Sequence, residues 1–357
     1  MSKILEKPLL TGAIVLLCVG LYVGLTFGLG RNLTAEKLAL FGYTMDPVAI
    51  WRGDYLPLLS GAFLHPNLLH LLFNLIWIWG LGARIELAWG RQPLVLVVLG
   101  SAVVASAAQL ATPNGWPAMG ASGVVCAMFG VMWGARHHVR EFRHFMAPQI
   151  VRFVIGWLLL CVVITHFGLL NIGNAAHVAG LLFGLAAAKV AFGGRWRPVA
   201  IVGLAACAVL VVLSLSWLPW VEKWTYYRAG ELVQAGQVEQ AQRLFKPRVS
   251  QDDPIMLNDW AWRMATSPYE PLRNAERAIR MARRACALTR WSDPNIIDTL
   301  AAAYAQDEQW DKAEQTQLLA LGMLQEVDFR TLQQRTFVES ILQQHLGMIR
   351  RKTKIRE

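Results

Sequence analysis

Met119-Gly120-Ala121-Ser122-Gly123-Val124-Val125-Cys126 sets a serine between glycines at the mouth of an apolar run that continues to about Trp133. Two other stretches gain meaning beside it. His70-Leu71-Leu72-Phe73-Asn74 carries a histidine and an asparagine spaced i, i+4, which puts both on one face of a helix. Asn174-Ala175-Ala176-His177-Val178-Ala179-Gly180, followed by Gly184, carries a second histidine. Each segment is otherwise apolar enough for a bilayer, where an ionisable or strongly hydrogen-bonding group is expensive and points to a functional site. Serine on one span and histidine on another are the parts of a nucleophile and its base.

The composition agrees with a membrane setting. Of 357 residues, 55% are hydrophobic and only 16% charged, which is unusual for a soluble protein. The apolar content is uneven: long apolar runs fill the chain to about residue 220, and charge and helix formers dominate beyond it. Two domains are expected, a membrane part over 1–220 and a soluble helical part over 221–357. The net charge of +10 does not indicate nucleic acid, because the charges of the first half collect in alternate loops between apolar runs. Cys18, Cys126, Cys161, Cys207 and Cys286 form no CxxC pair, so neither a disulfide framework nor a metal site is indicated.

The apolar runs predict seven spans, at about 9–30, 65–82, 94–110, 122–133, 150–167, 175–190 and 198–217. The first has the length of a retained span, and no small-residue cleavage site follows it. The Ser122 run is short, which suits an entry that lies in a water-filled cavity below the membrane surface. Trp51 and Tyr55, and later Trp217, Trp220 and Trp224, are expected at headgroup level. With the N-terminus inside, the inner segments carry Lys3, Lys7, Arg84, Arg91, Arg136, Arg140, Arg143, Arg152, Lys189, Arg195 and Arg197. The outer loops carry only Arg31, Lys37 and Arg52. That bias predicts a cytoplasmic N-terminus, a C-terminal domain on the outer side of a bacterial inner membrane, and a Ser122 segment that opens outward.

Beyond Trp220, helices are expected at about 221–234, 238–246, 255–266, 272–289, 295–307, 310–324 and 331–346. Pairs such as Leu300-Ala301-Ala302-Ala303-Tyr304-Ala305 before Trp310-Asp311-Lys312-Ala313-Glu314 look like degenerate tetratricopeptide repeats. His345 and Cys286 read as isolated, and the carboxylates as solvated helix faces.

A serine hydroxyl becomes a nucleophile when a base takes its proton, and histidine has the pKa and geometry for that. No aspartate lies in the spans, and Glu86 belongs to the inner end of the second, so the chemistry reads as a Ser122–His177 dyad. His70, Asn74 and the Ser122 backbone N–H are the candidate donors to an oxyanion. Gly130 with Gly134, and Gly180 with Gly184, are small-xxx-small pairs that let two helices approach closely. Taken singly, each motif also reads as packing: the GxSG run as helix contact, His177 as a structural or relay residue, His70 and Asn74 as interhelical polar pairing. Their joint occurrence at compatible depth favours catalysis. His65 and His166, near span ends, read as structural.

In this combination and order the motifs resemble those of the rhomboid family of intramembrane serine proteases over roughly residues 40–192. The resemblance rests on His65, His70 and Asn74 in the H-xxxx-H-xxx-N pattern, on Gly82-Ala83-Arg84-Ile85-Glu86, on Gly120-Ala121-Ser122-Gly123, and on Ala176-His177-Val178-Ala179-Gly180 with Gly184. It implies an all-α fold, a polytopic helix bundle with a six-span core plus a seventh span. It also implies Ser122 as nucleophile, His177 as general base, and His70, Asn74 and the Ser122 N–H as oxyanion hole. Transmembrane proteins in a lipid bilayer would be the substrates, with no cofactor. Two positions depart from the family pattern. Leu56-Pro57 stands where a Trp-Arg pair is frequent, with Trp51-Arg52 five residues earlier, and Cys126 stands where many bacterial members carry a tyrosine stacked on the base. A catalytically silent relative that binds membrane clients for quality control is the alternative, and a protein partner is expected for the C-terminal domain.

Overall fold

A computed structural model describes residues 7–29, 46–113, 115–246, 253–325 and 332–357. Lys3, Arg31 and Lys37, which entered the charge bias, lie outside the described residues, as does the start of the helix expected from 331. Every regular element among the described residues is a helix, so the fold is all-α.

The membrane unit begins with α1, Leu9–Leu29. Two short helices come next, α2 (Pro47–Trp51) and α3 (Leu56–Ser60). Then come α4 (Leu68–Trp89), with a π-helical turn at Ile78–Gly82, and α5 (Arg91–Leu110). The remaining elements are α6 (Ser122–Ala135), the short α7 (Arg140–Phe145), α8 (Pro148–His166), α9 (Asn174–Phe192) and α10 (Arg197–Ser216). Six of these, α1, α4, α5, α8, α9 and α10, are long and apolar enough to cross a membrane. Helix α6 has only 14 residues, and its side chains are nearly all buried among the others.

Local chemistry sets the ends. The Asp46 side chain accepts from Val48 N, with Pro47 at the first position of α2, and Asn67 accepts from His70 N at 2.9 Å to start α4. The close pairing of α6 with α9 follows from small residues. A Cβ on Gly180 would collide with the backbone of Gly123, one on Gly184 with Ala127, and one on Gly130 with Leu181. The two backbones are therefore in direct contact, as the glycine spacing predicts. On the opposite face of α6, Met128, Phe129 and Met132 pack with Ile78, Leu81 and Ile85 of α4.

Three side chains differ from the sequence reading. Glu86 is more than an end charge: it is buried, and its carboxylate accepts from Leu10 N at 2.9 Å, Thr11 N at 2.7 Å and Thr11 Oγ1 at 2.8 Å. It thereby caps the N-terminus of α1, where a negative charge meets the positive end of the helix dipole. Arg91 is bonded to it at 3.2 Å. Trp51 is buried and donates its indole N–H to Ser214 O at 3.0 Å, whereas Tyr55 is exposed. Trp224 is buried too, while Trp217 and Trp220 are exposed.

The chain divides into compact units at Thr225/Tyr226, inside helix α11 (Glu222–Gln234). The second unit continues through α12 (Val238–Leu244), α13 (Pro254–Thr266), α14 (Ala275–Leu288), α15 (Pro294–Gln306), α16 (Trp310–Met323) and α17 (Leu332–Arg350). Asp253, Asn274 and Asp293 cap α13, α14 and α15 with their side chains. From α13 onward each helix packs on the next, around Trp260 and the alanines of α15. His345 is not isolated: its Nδ1 lies 2.9 Å from Oδ1 of buried Asp298, which also accepts from Gln317 Nε2 at 2.6 Å. Asp298 is thus a buried, paired carboxylate rather than a solvated one. Cys286 is buried, and burial first, with Asp293 second, pushes its thiol up to about 12. Such a thiol is inert.

Candidate active site

Ser122 is the first residue of α6, so its backbone N–H has no partner inside the helix and its side chain stands at the helix mouth. The turn that delivers it needs Gly120, whose φ is +98°, a backbone state that side chains disfavour. A Cβ there would also collide with the His70 ring. Three hydrogen bonds hold residues 118–121, just before Ser122. Gly120 N donates to Gly61 O at 2.9 Å, Ala118 N to Ser106 Oγ at 3.2 Å, and Ala121 N to His65 Nε2 at 3.4 Å. The last bond fixes the His65 tautomer, because Nδ1 then carries the proton and donates to Phe63 O at 3.2 Å. His65 is fully buried and acts as a loop fastener, in keeping with the structural role read for it.

His177 lies in the first turn of α9, and its Nε2 is 2.8 Å from Ser122 Oγ. With Nε2 accepting the hydroxyl proton, Nδ1 carries the ring proton. Nδ1 is buried and has no hydrogen-bond partner among the described residues, so no carboxylate backs the base. Asn74 is also buried, and its Nδ2 donates to His70 O, one turn back on α4, at 2.8 Å. An amide has two N–H groups, which leaves the second for another acceptor. Asn74, Ser122, Cys126 and His177 line one narrow crevice of about 50 Å³, closed on its side by Phe73 and Trp157, whose rings are 5.4 Å apart. The His70 ring packs edge-on to His65 at 5.3 Å and against Gly120, two residues before Ser122.

The structure thus brings Ser122, His177 and Asn74 to one crevice and sets His70 against the turn at its edge. His166 lies apart, exposed beside Phe167. Cys126, one turn after Ser122 and on its face, lines the same crevice and supplies no ring to stack on His177. His177 is placed by its helix instead. Ala176 N donates to Gln109 Oε1 at 3.4 Å, and Asn174 Nδ2 donates to Thr165 Oγ1 at 2.9 Å, tying α9 to α5 and α8 just before His177. Gln109, Thr165, Ser106 and Gly61 went unread in the sequence. The only available signal was a polar residue inside an apolar run, for Gln109 and Ser106.

Comparison with known proteins finds similarity over the helices that carry this crevice. Residues 50–194 match the family described as "Rhomboid domain". The chain is 34% identical over 178 residues to "Rhomboid protease GlpG" of Yersinia pseudotuberculosis serotype I (strain IP32953), a match covering 49% of this chain and 60% of that protein. It is 30% identical over 183 residues to the protein of the same name from Salmonella paratyphi A (strain ATCC 9150 / SARB42), covering 50% and 62%. The chain therefore spans about 60% of the length of these relatives.

Proposed function

We propose that this multi-pass membrane protein, whose residues 50–194 match the rhomboid domain, is a rhomboid-type intramembrane serine endopeptidase working through Ser122 and His177. The observation that carries the reading is the 2.8 Å bond between Ser122 Oγ and His177 Nε2 in a crevice that opens among apolar helices. Ser122 Oγ attacks the carbonyl carbon of a peptide bond in or beside a transmembrane segment, as His177 Nε2 takes the hydroxyl proton. The oxyanion accepts from the Ser122 N–H, the second Asn74 N–H and the His70 ring. Collapse expels the amine, which His177 protonates. Water then attacks the acyl-enzyme, with His177 again taking the proton.

The alternative of a silent client-binding protein would fit a missing serine or histidine, and this chain keeps both in hydrogen-bond contact. The basic bias supports an N-terminus inside and a C-terminal unit outside a bacterial inner membrane. The second unit is proposed as a tetratricopeptide-like stack that holds a protein partner rather than doing chemistry.

Cleavage of a test transmembrane substrate by the purified chain in detergent checks the proposal. Ser122→Ala and His177→Ala should each abolish cleavage without shifting the thermal midpoint. Cleavage surviving in Ser122→Ala overturns the assignment.

A further inference from the structure

The match to the rhomboid domain ends at residue 194, so α10 and the residues after it lie outside that domain. Yet this added part touches the segment that carries the nucleophile. Trp220 Nε1 donates to Ala111 O at 2.7 Å, at the start of segment 111–121. Val221, fully buried, lies against Gly115, which takes φ +60° and has no room for a Cβ. Lys223 Nζ sits 3.2 Å above the ring of Trp116. One turn earlier, Ser214 O accepts from Trp51 Nε1 at 3.0 Å. Trp51 ends α2, and α2 and α3 lead to Gly61 and His65, the partners that hold Gly120 and Ala121.

The end of α10 and residues 217–223 thus grip both walls around Ser122. One wall is segment 111–116, gripped directly. The other is the stretch from Trp51 to His65, gripped through its first helix. The described residues of segment 111–121 form no helix or strand that would hold their shape, so their geometry is set by what fastens them.

We propose that residues 214–223 are a strap that positions the Ser122 segment, making the reactivity of the serine depend on a part of the chain outside the rhomboid domain. The proposal rests on Ser122 being the nucleophile. Trp220, Lys223 and Trp51 are positioning residues in it: they touch neither substrate nor the reacting atoms. A nucleophile moved by a fraction of an ångström reacts more slowly, while substrate binding elsewhere is unaffected. The effect belongs in kcat and not in KM.

The test uses the full chain in detergent, with the labelling rate of a fluorophosphonate probe, the kcat and KM for a transmembrane substrate, and the thermal midpoint. Trp220→Phe keeps the ring and removes the donor, and should lower labelling and kcat about five-fold, the weight of one ordinary hydrogen bond. Lys223→Gln should lower both about three-fold, and Lys223→Arg should restore them, because arginine keeps the cation above the Trp116 ring. Trp51→Phe combined with Trp220→Phe should multiply the losses, since the two bonds hold different walls. Ser216→Ala, whose hydroxyl among the described residues bonds within its own helix to Val212 O, should change nothing. KM and the midpoint should stay level throughout. Should Trp220→Phe prove unstable, the Lys223 pair decides, as that side chain sits above an exposed ring. Unsubstituted rates in Trp220→Phe and Lys223→Gln overturn the strap, as does a loss that merely tracks the folded fraction. No labelling of the unsubstituted chain overturns the nucleophile assignment and the strap with it.

Discussion

Replacing Gly184 by alanine should separate Ser122 and His177, the proposed catalytic groups, without touching either. A Cβ at Gly184 lies 2.7 Å from the carbonyl carbon and 2.9 Å from the Cα of Ala127, and closer still to its oxygen. All three are backbone atoms of a helix, which cannot swing aside as a side-chain tip does. Ordinary contact begins at 3.4 Å. Helices α6 and α9 must therefore part by at least roughly 0.7 Å, and by more to clear the carbonyl oxygen, or shear by a comparable amount, since cores this dense have no slack. Transmitted two turns along α9, that shift takes the Ser122–His177 bond from 2.8 Å to about 3.5 Å or beyond, at or past the edge of hydrogen bonding. A displacement of this size costs on the order of 10²-fold in rate, and overpacking the interface costs about 1–3 kcal/mol of stability. The assay is the fluorophosphonate labelling rate per folded molecule, with the thermal midpoint alongside. Gly156→Ala is the control, because nothing lies within 4 Å of a Cβ there. A Gly184→Ala protein that labels at the unsubstituted rate would refute the claim that backbone contact between α6 and α9 sets the dyad.

Asn74→Ala and His70→Ala should each lower kcat by roughly 10- to 1000-fold, the range for losing one oxyanion donor, with little change in the midpoint; rates unchanged in both would make these packing residues. Glu86→Gln should destabilise the membrane unit by about 1–3 kcal/mol, because the capping bonds to Leu10 and Thr11 lose their charge, while the labelling rate per folded molecule stays level. A fall in that rate would tie the cap to the site. A single cysteine placed beyond residue 226, in a chain stripped of its other cysteines, should react with a membrane-impermeant thiol reagent in cells whose outer membrane alone is permeabilised. Protection until the inner membrane is broken would reverse the proposed orientation.

The seven apolar helices and the candidate site residues were legible because each rests on a local signal. An apolar run of bilayer length announces a helix, and a polar group inside one stands out. The helices of the second unit fell within a few residues of their expected bounds for a similar reason, since Asp253-Pro254, Asn274 and Asp293-Pro294 are start signals on the chain itself. The hidden features depend on partners distant in sequence. Glu86 reads as one more charge near a span end until α1 arrives to be capped, 75 residues away in the chain. Trp51 looks like an interfacial ring until Ser214 supplies its acceptor, and His345 looks isolated until α15 brings Asp298 beside it. The π-turn at Ile78–Gly82 has no sequence signature beyond two glycines. Gln109 and Thr165, which seat the helix of His177, act on the backbone or on a neighbouring amide, and no spacing rule predicts such contacts.

In the proposed mechanism Ser122 is made nucleophilic by His177 alone. Mass-spectrometric mapping of the fluorophosphonate adduct on the purified full chain tests it most directly. One adduct is expected, on Ser122, abolished by His177→Ala while the fold is retained. An adduct on another serine, or an undiminished Ser122 adduct in His177→Ala, would contradict it.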